Sequence, residues 1–343
     1  MINIISRSAN PGKVSGPSKV FSNLAKGLSK IGYPYLVNRD LNATKRLWIH
    51  DDVAALRHIH RSEAFKVVGP NLFVMPSEIP PDIRMDDALY LHPSAWAARI
   101  WERAGFDACP IVTWPVGIDT DVFHPSSIPS PKRQIMVYHK QRGTQELDSI
   151  LDSLHDLKLP YSLVLYGRYS ELDYREQLAN TSFIIWHGPH ESQGIALQEA
   201  MACDIPLLVC DVTSLSQARA DYVFDPSFFG ISVTSAPYFD ETCGVKITDL
   251  SQLRTAIEFM QQNLMDFQPR RYVLDHLSLE GQARAFVALW ERWGLTYERG
   301  LSESIKTDGL WRVPLGDRLS VARLRSLPLR LAKAGLRNLG PKS

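Results

Sequence analysis

Two short apolar runs, separated by a loop and one helical segment, constrain the fold of this chain more than any other feature. Residues 183–186 read Phe-Ile-Ile-Trp, and residues 205–210 read Ile-Pro-Leu-Leu-Val-Cys. A Gly/Pro/His loop and an amphipathic stretch lie between them, so the local order is strand, loop, helix, strand. In a parallel sheet, such a loop and helix start lie at the carboxyl edge, where ligands bind. Unpaired amides there favour an anion such as a diphosphate.

The same alternation of strand-like and helical segments occurs in two series along the chain. The first series ends near residue 125, and the second begins at Gln134. Residues 126–132 between them contain prolines and no periodicity, which is typical of an interdomain linker. Strands that alternate with helices favour parallel sheets. We therefore predict an α/β fold of two Rossmann-like domains with parallel sheets facing a central cleft: residues 1–128 and 129–298, with the last helix over about 280–294.

Composition excludes several classes of protein. The 343 residues include 38 Lys and Arg against 37 Asp and Glu, so the formal charge of +1 gives no overall attraction to nucleic acid. No run approaches the ~18 apolar residues that a membrane span needs. The four cysteines form no CxxC pair and have no metal-ligand spacing. They are expected to be reduced thiols, which favours a cytoplasmic location.

The C-terminal end differs from the rest of the chain. We predict a basic tail over residues 299–343, because residues 318–343 carry seven basic side chains and no acidic one. Such a segment would contact anionic lipid with ~1 kcal/mol per charge, which would place the protein peripherally at the inner face of the membrane. The alternative is a solvated tail, because Pro328 and Pro341 interrupt any helix there.

Two carboxylates bracket the predicted helix start. Glu191 lies in the loop and Glu199 in the helix, with seven residues between them. A carboxylate in the loop is unexpected if phosphate were the only ligand. The spacing resembles the E-x7-E signature of retaining GT-B glycosyltransferases of the family 4 group. The flanking residues resemble that family as well: Ser-Gln-Gly-Ile before the helix and Ala-Met-Ala-Cys-Asp-Ile-Pro at its end. The similarity spans residues 12–295, and residues 15–20 and 115–125 resemble the family's first glycine loop and the end of its N-terminal domain.

This resemblance implies roles for the residues of the loop. Glu191 would face the donor sugar, and Glu199 would hydrogen-bond the ribose of the nucleotide. Asp204 stands where the family often has Gly, and we expect it to adopt a left-handed conformation after the helix. The backbone amides that would hold the sugar and the distal phosphate belong to Ser192, Gln193, Gly194 and Ile195.

The resemblance also implies cations beside the diphosphate and no metal or other cofactor. Lys140 and Arg142 follow the first strand of the second domain, where the family keeps an Arg and a Lys, and we assign them as a pair. Gly16 would allow close approach of the ligand, His50 would lie beside the donor, and Arg168 would flank the cleft. For each of these the alternative is structural: solvated loop charges at Lys140 and Arg142, an ordinary turn at Gly16, a buried histidine at His50 and a surface ion pair at Arg168.

The activity that the resemblance implies is transfer of a hexose, with retention, from a nucleoside-diphosphate sugar to a hydroxyl acceptor. The acceptor would be a saccharide or a lipid-linked molecule in cell-surface polysaccharide or glycoconjugate synthesis. Two alternatives stay open: a nucleotide-sugar epimerase of the same fold, and a non-catalytic nucleotide-sugar-binding protein.

Overall fold

A computed structural model describes residues 1–10, 15–85, 88–126, 134–217 and 223–298, with side chains as far as residue 291. The predicted domain boundary at 128–129 and the predicted basic tail both lie outside the described residues.

The first domain is built on a six-stranded sheet in which every pair of neighbouring strands is parallel. The strand order is β2-β1-β3-β4-β5-β6. The strands are β1 (Ile2–Ile5), β2 (Tyr35–Val37), β3 (Arg46–Ile49), β4 (Phe65–Val68), β5 (Ala88–His92) and β6 (Ile111–Thr113), and the helices are α1 (Gly16–Lys30), α2 (Val53–Leu56) and α3 (Ala95–Arg103). β5 is buried along its whole length, as expected for a parallel strand covered on both faces.

The second domain has a five-stranded parallel sheet with the order β11-β10-β9-β7-β8. The strands are β7 (Gln134–His139), β8 (Tyr161–Leu165), β9 (Thr181–His187), β10 (Leu207–Cys210) and β11 (Gly244–Ile247). The helices are α4 (Thr144–Asp156), α5 (Glu171–Ala179), α6 (Ile195–Ala202), α7 (Leu253–Asn263), α8 (Pro269–His276) and α9 (Leu279–Glu298). The two predicted apolar runs lie in β9 and β10, and the prediction of two parallel α/β domains is confirmed.

Helix α9 returns to the first domain. The sequence analysis placed this helix in the second domain over about 280–294, whereas it runs from Leu279 to Glu298. Its buried residues Phe286 and Trp290 pack in one core cluster with Trp48 of β3 and Trp114. Its first residue approaches α1 so closely that a Cβ added to Gly27 would lie 2.6 Å from the carbonyl oxygen of Leu279. The helix therefore ties the end of the second domain to the first.

The chain between β10 and β11 also crosses to the first domain. Val212, Leu215 and Ile231 are buried in the same cluster as Trp96 of α3 and Ile49 of β3. Because these contacts are apolar and buried, they hold the carboxyl ends of the two sheets close together.

The end of α6 supports the sequence-based expectation for Asp204. Its φ is +61°, in the left-handed region that a helix uses to end its last turn. Asp occupies this region more readily than most side chains, so it can replace the usual glycine.

Candidate active site

The start of α6 lies at the junction of the two domains. Gly194 precedes the helix with φ +80°, a conformation that glycine adopts without steric cost. The turn brings Glu191 before the helix and Glu199 inside it, and these two carboxylates are 7% and 2% exposed. Carboxylates are rarely buried so completely unless each has a partner, so the partners define the site.

Glu191 is held at three points. Its Oε1 accepts a hydrogen bond from Lys140 Nζ at 2.6 Å, and its backbone N–H donates to the carbonyl oxygen of Thr234 at 3.0 Å. Its carbonyl oxygen accepts from Trp96 Nε1, in the first domain, at 2.9 Å. The Lys140 ammonium also lies 4.5 Å from the centre of the Tyr166 ring. Lys140, which the sequence assigned with Arg142 to the diphosphate, forms an ion pair with Glu191, and its contact with a diphosphate stays a prediction.

The partner of Glu199 comes from the other domain. Lys19, on α1, donates to Glu199 Oε1 and lies 3.1 Å from the carboxylate of Glu171 on α5. Burial raises the pKa of Glu199 to about 7, and the charge of Lys19 opposes that rise. Lys19 therefore favours the ionised carboxylate that a ribose diol would hydrogen-bond.

Arg142 makes different contacts from Lys140. Its Nη1 donates to the carbonyl oxygen of Cys210 at 2.6 Å, and its Nη2 contacts Glu146. Glu146 also lies 2.8 Å from His187 Nε2, and His187 Nδ1 lies 3.0 Å from His139 Nδ1. Burial lowers the pKa of His187 to about 4 and also lowers the pKa of His139. A neutral His187 that donates from Nε2 to Glu146 accepts at Nδ1, which makes His139 the donor of the second bond. The structure thus places Arg142 in a network within the second domain, and its assignment to the diphosphate stays a prediction.

Residues 192–195 form the turn before α6 and its first residue, and the Gln193 side chain there is buried. That their amides bind a donor stays a prediction. The Gln193 side-chain amide exchanges two hydrogen bonds with the backbone of Val116, at 3.0 and 2.8 Å, and contacts Gln198. Because Val116 follows β6, this side chain fastens the loop to the end of the first domain. Ser192 is exposed.

The other three predicted site residues are Gly16, His50 and Arg168, and each has a different environment. Gly16 begins α1 with open space where a Cβ would stand, so packing within the protein does not require glycine there. His50 is fully buried, with Nε2 2.8 Å from Asn71 Nδ2, and burial lowers its pKa to about 4. Arg168 is exposed in the turn after β8. In the described part of the chain, none of these three forms a hydrogen bond or an ion pair with Glu191 or Glu199.

Sequence reasoning did not identify three residues that hold the carboxylates: Lys19, Trp96 and Thr234. Lys19 lies within the stretch that resembles the family's first glycine loop, and its charge next to Gly16 was the available signal. Trp96 lies among the apolar residues of α3, and no local pattern indicates that its indole N–H reaches the other domain. Thr234 had no signal, because it contributes only a backbone carbonyl.

No protein-family model matches the sequence, and neither does any curated protein. Many solved structures match in three dimensions. Sucrose-phosphate synthase from Thermosynechococcus elongatus superimposes with a TM-score of 0.57 at 11% identity, over 86% of this chain and 99% of that chain. HepE from Anabaena, in complex with UDP-glucose, gives 0.53 at 10% identity over 85% and 99%. WaaG, a glycosyltransferase involved in lipopolysaccharide biosynthesis, gives 0.54 at 13% identity over 84% and 99%.

At these identities the similarity shows the fold. The chain has the two-domain parallel α/β architecture of the GT-B glycosyltransferases. The similar structures include glycosyltransferases, and one of them is bound to a nucleotide sugar.

Proposed function

We propose that this protein is a retaining glycosyltransferase that moves a hexose from a nucleoside-diphosphate sugar to a hydroxyl acceptor. The observation that supports the proposal best is the start of α6, where Glu191 and Glu199 are both buried at the domain junction, each paired with a lysine. The GT-B fold supports it independently. Retention is supported by the E-x7-E spacing alone.

In this proposal the two ends of the donor bind at the two ends of the turn. Glu199 accepts hydrogen bonds from the ribose hydroxyls. The amides of residues 192–195 contact the distal phosphate and the sugar, because the start of a helix presents unpaired N–H groups and a partial positive charge. Lys140 adds a full positive charge beside them, and Glu191 lies against the sugar.

The same groups would stabilise the transition state. As the bond from the anomeric carbon to the phosphate oxygen breaks, positive charge develops on the sugar and negative charge on the diphosphate. The carboxylate of Glu191 stabilises the first, and Lys140 with the α6 amides stabilises the second. The acceptor oxygen bonds to the face that the diphosphate leaves, so the configuration is retained. Its proton passes to the departing phosphate oxygen. No metal is needed for this step, and activity is expected to survive a chelator.

The first experiment is turnover of UDP- and GDP-sugars by the wild type and by Glu191→Ala and Lys140→Ala, with Arg254→Ala, at an exposed position of α7, as the control. Both site variants are expected to lose transfer, and the control to keep it. A glycoside of unchanged anomeric configuration supports the proposal. Release of an epimerised sugar supports an epimerase instead, and nucleotide binding without turnover supports a binding protein.

We further propose that the acceptor is a saccharide or a lipid-linked molecule of cell-surface polysaccharide synthesis, and that the protein works in the cytoplasm at the membrane's inner face. The involvement of WaaG in lipopolysaccharide biosynthesis and the basic residues within 318–343 support this. Among the described residues, no helix combines the length and the apolar character that crossing a membrane requires.

Deletion of 318–343 should abolish binding to anionic vesicles and leave binding to neutral vesicles unchanged.

A further inference from the structure

Two side-chain hydrogen bonds cross between the domains beside Glu191. Trp96 lies in the first turn of α3 and donates its indole N–H to the carbonyl oxygen of Glu191 at 2.9 Å. Tyr238, in the second domain, donates its hydroxyl to the carbonyl oxygen of Pro93 at 2.5 Å. Pro93 and Trp96 are three residues apart, so the two bonds fasten the start of α3 against the loop that carries Glu191.

The other described partners of Glu191 belong to the second domain, whereas Gln193, two residues further along the loop, bonds to the backbone of Val116 in the first domain. Thr234, which accepts the Glu191 N–H, is itself fixed by hydrogen bonds to Asp211 and from Lys246 Nζ at 2.8 Å. Lys140 pairs with the side chain. Among these described partners of Glu191, Trp96 is the one that the first domain supplies.

The surroundings of Trp96 make its hydrogen bond specific. Its side chain is 7% exposed, and its ring packs edge-on against His190 at 5.0 Å between centroids. A buried carbonyl that loses its donor is left unpaired, so the loop has a reason to shift if the indole N–H is removed. A shift of the Glu191 carbonyl group also moves the Glu191 carboxylate, because both groups belong to one residue.

We propose that Trp96 is a positioning residue, which aligns Glu191 with the donor sugar only when the two domains are closed on each other. This inference rests on the proposed role of Glu191. Its consequence is that the carboxylate is in place only when the site is shielded from water, which would otherwise compete as an acceptor.

The test is Trp96→Phe, which removes the N–H donor and keeps an aromatic ring. The matched control is Trp101→Phe on the same helix. Trp101 is buried and donates its indole N–H to the carbonyl oxygen of Val74 at 2.9 Å, within the first domain. The readouts are kcat and KM for hydrolysis or transfer of UDP-glucose, UDP-N-acetylglucosamine and GDP-mannose, with nucleoside diphosphate affinity by calorimetry. Folding is checked by circular dichroism.

We expect Trp96→Phe to lower kcat by about 10²-fold, the typical cost of a misplaced reacting group, with nucleotide affinity unchanged. Trp101→Phe should change thermal stability and leave kcat within about twofold. If Trp96→Phe does not fold, Tyr238→Phe removes the other hydrogen bond that fastens the start of α3 to the second domain, and it should lower kcat by a smaller factor at constant nucleotide affinity. Equal kcat values in the two tryptophan variants, or an unchanged kcat in Tyr238→Phe, overturn the assignment while the proposed function stands. A wild type that turns over none of the sugars overturns both.

Discussion

The two carboxylates of the α6 turn are equally well buried but are held by different domains. The charge partner of Glu191 is Lys140, from the same domain, whereas the charge partner of Glu199 is Lys19, from the opposite one. At Glu191 the first domain contacts the backbone instead, because Trp96 donates a hydrogen bond to the Glu191 carbonyl oxygen. The first domain therefore acts on Glu199, at the proposed ribose end, through charge, and on Glu191, at the proposed sugar end, through position. Separation of the domains would change the ionisation of Glu199 and the alignment of Glu191.

The largest expected effect is at Glu191, the residue proposed to lie against the sugar. Glu191→Gln keeps the size of the side chain and removes its charge, so it should lower transfer by about 10²–10³-fold, the range for loss of one preorganised electrostatic group. Steady-state kinetics with the best donor measures this. Lys140 would lose its ion pair, so the melting temperature is measured in parallel. A variant with normal turnover would remove Glu191 from the mechanism.

The second prediction concerns Lys19, the charge partner of Glu199. Lys19→Met removes the charge that holds Glu199 ionised, so the carboxyl pKa should rise above about 7 and the group should be protonated at neutral pH. Nucleoside diphosphate affinity should then fall about tenfold at pH 7 and recover toward pH 9. Calorimetric titrations across this range measure it.

The matched control is Lys26→Met on the same helix, which breaks an ion pair with Asp119 instead. Its affinity should follow the wild-type pH profile. Loss of affinity in Lys19→Met that is the same at every pH would mean that Lys19 contacts the nucleotide itself and does not act through Glu199.

The third prediction concerns stability. Since the pKa of Glu199 is raised in the folded protein, from an ordinary value of 4.5 to about 7, the fold favours the protonated form. Its contribution to stability is fully present below pH 4.5 and is lost as pH rises to about 7. Glu199→Gln lacks this titration, so its stability relative to the wild type should increase between pH 4.5 and 7 and stay level above. Urea unfolding at a series of pH values measures the difference, and a constant difference would contradict the assigned ionisation.

The smallest expected effect is at the turn between the two carboxylates. Gly194→Ala forces an L side chain into φ +80°, which should destabilise the protein by about 1–2 kcal/mol. Gly16→Ala is the control, because Gly16 has no positive φ and has open space around it, so its unfolding free energy should change little. A fall in nucleotide affinity in Gly16→Ala at constant stability would support the predicted close approach of the ligand there.

The sequence predicted those parts of the molecule that depend on local order. The strand–loop–helix–strand unit around α6 and the left-handed Asp204 both follow from residues close together in the chain. Lys19 and Glu199 are 180 residues apart, and Trp96 and Glu191 are 95 apart. Such contacts depend on how the two domains pack, which apolar periodicity does not specify. The same reason explains why α9 could be predicted as a helix but its return to the first domain could not.

The central claim is that Glu199 binds the ribose and Glu191 serves the sugar, and calorimetry combined with turnover tests it most directly. The wild type, Glu199→Gln and Glu191→Gln are each titrated with the best-binding nucleoside diphosphate and then assayed with the corresponding nucleotide sugar. The account predicts that Glu199→Gln loses nucleoside diphosphate affinity, while Glu191→Gln binds it as the wild type does and fails to transfer the sugar. Equal loss of nucleoside diphosphate affinity in both variants, or normal affinity in Glu199→Gln, would contradict the account.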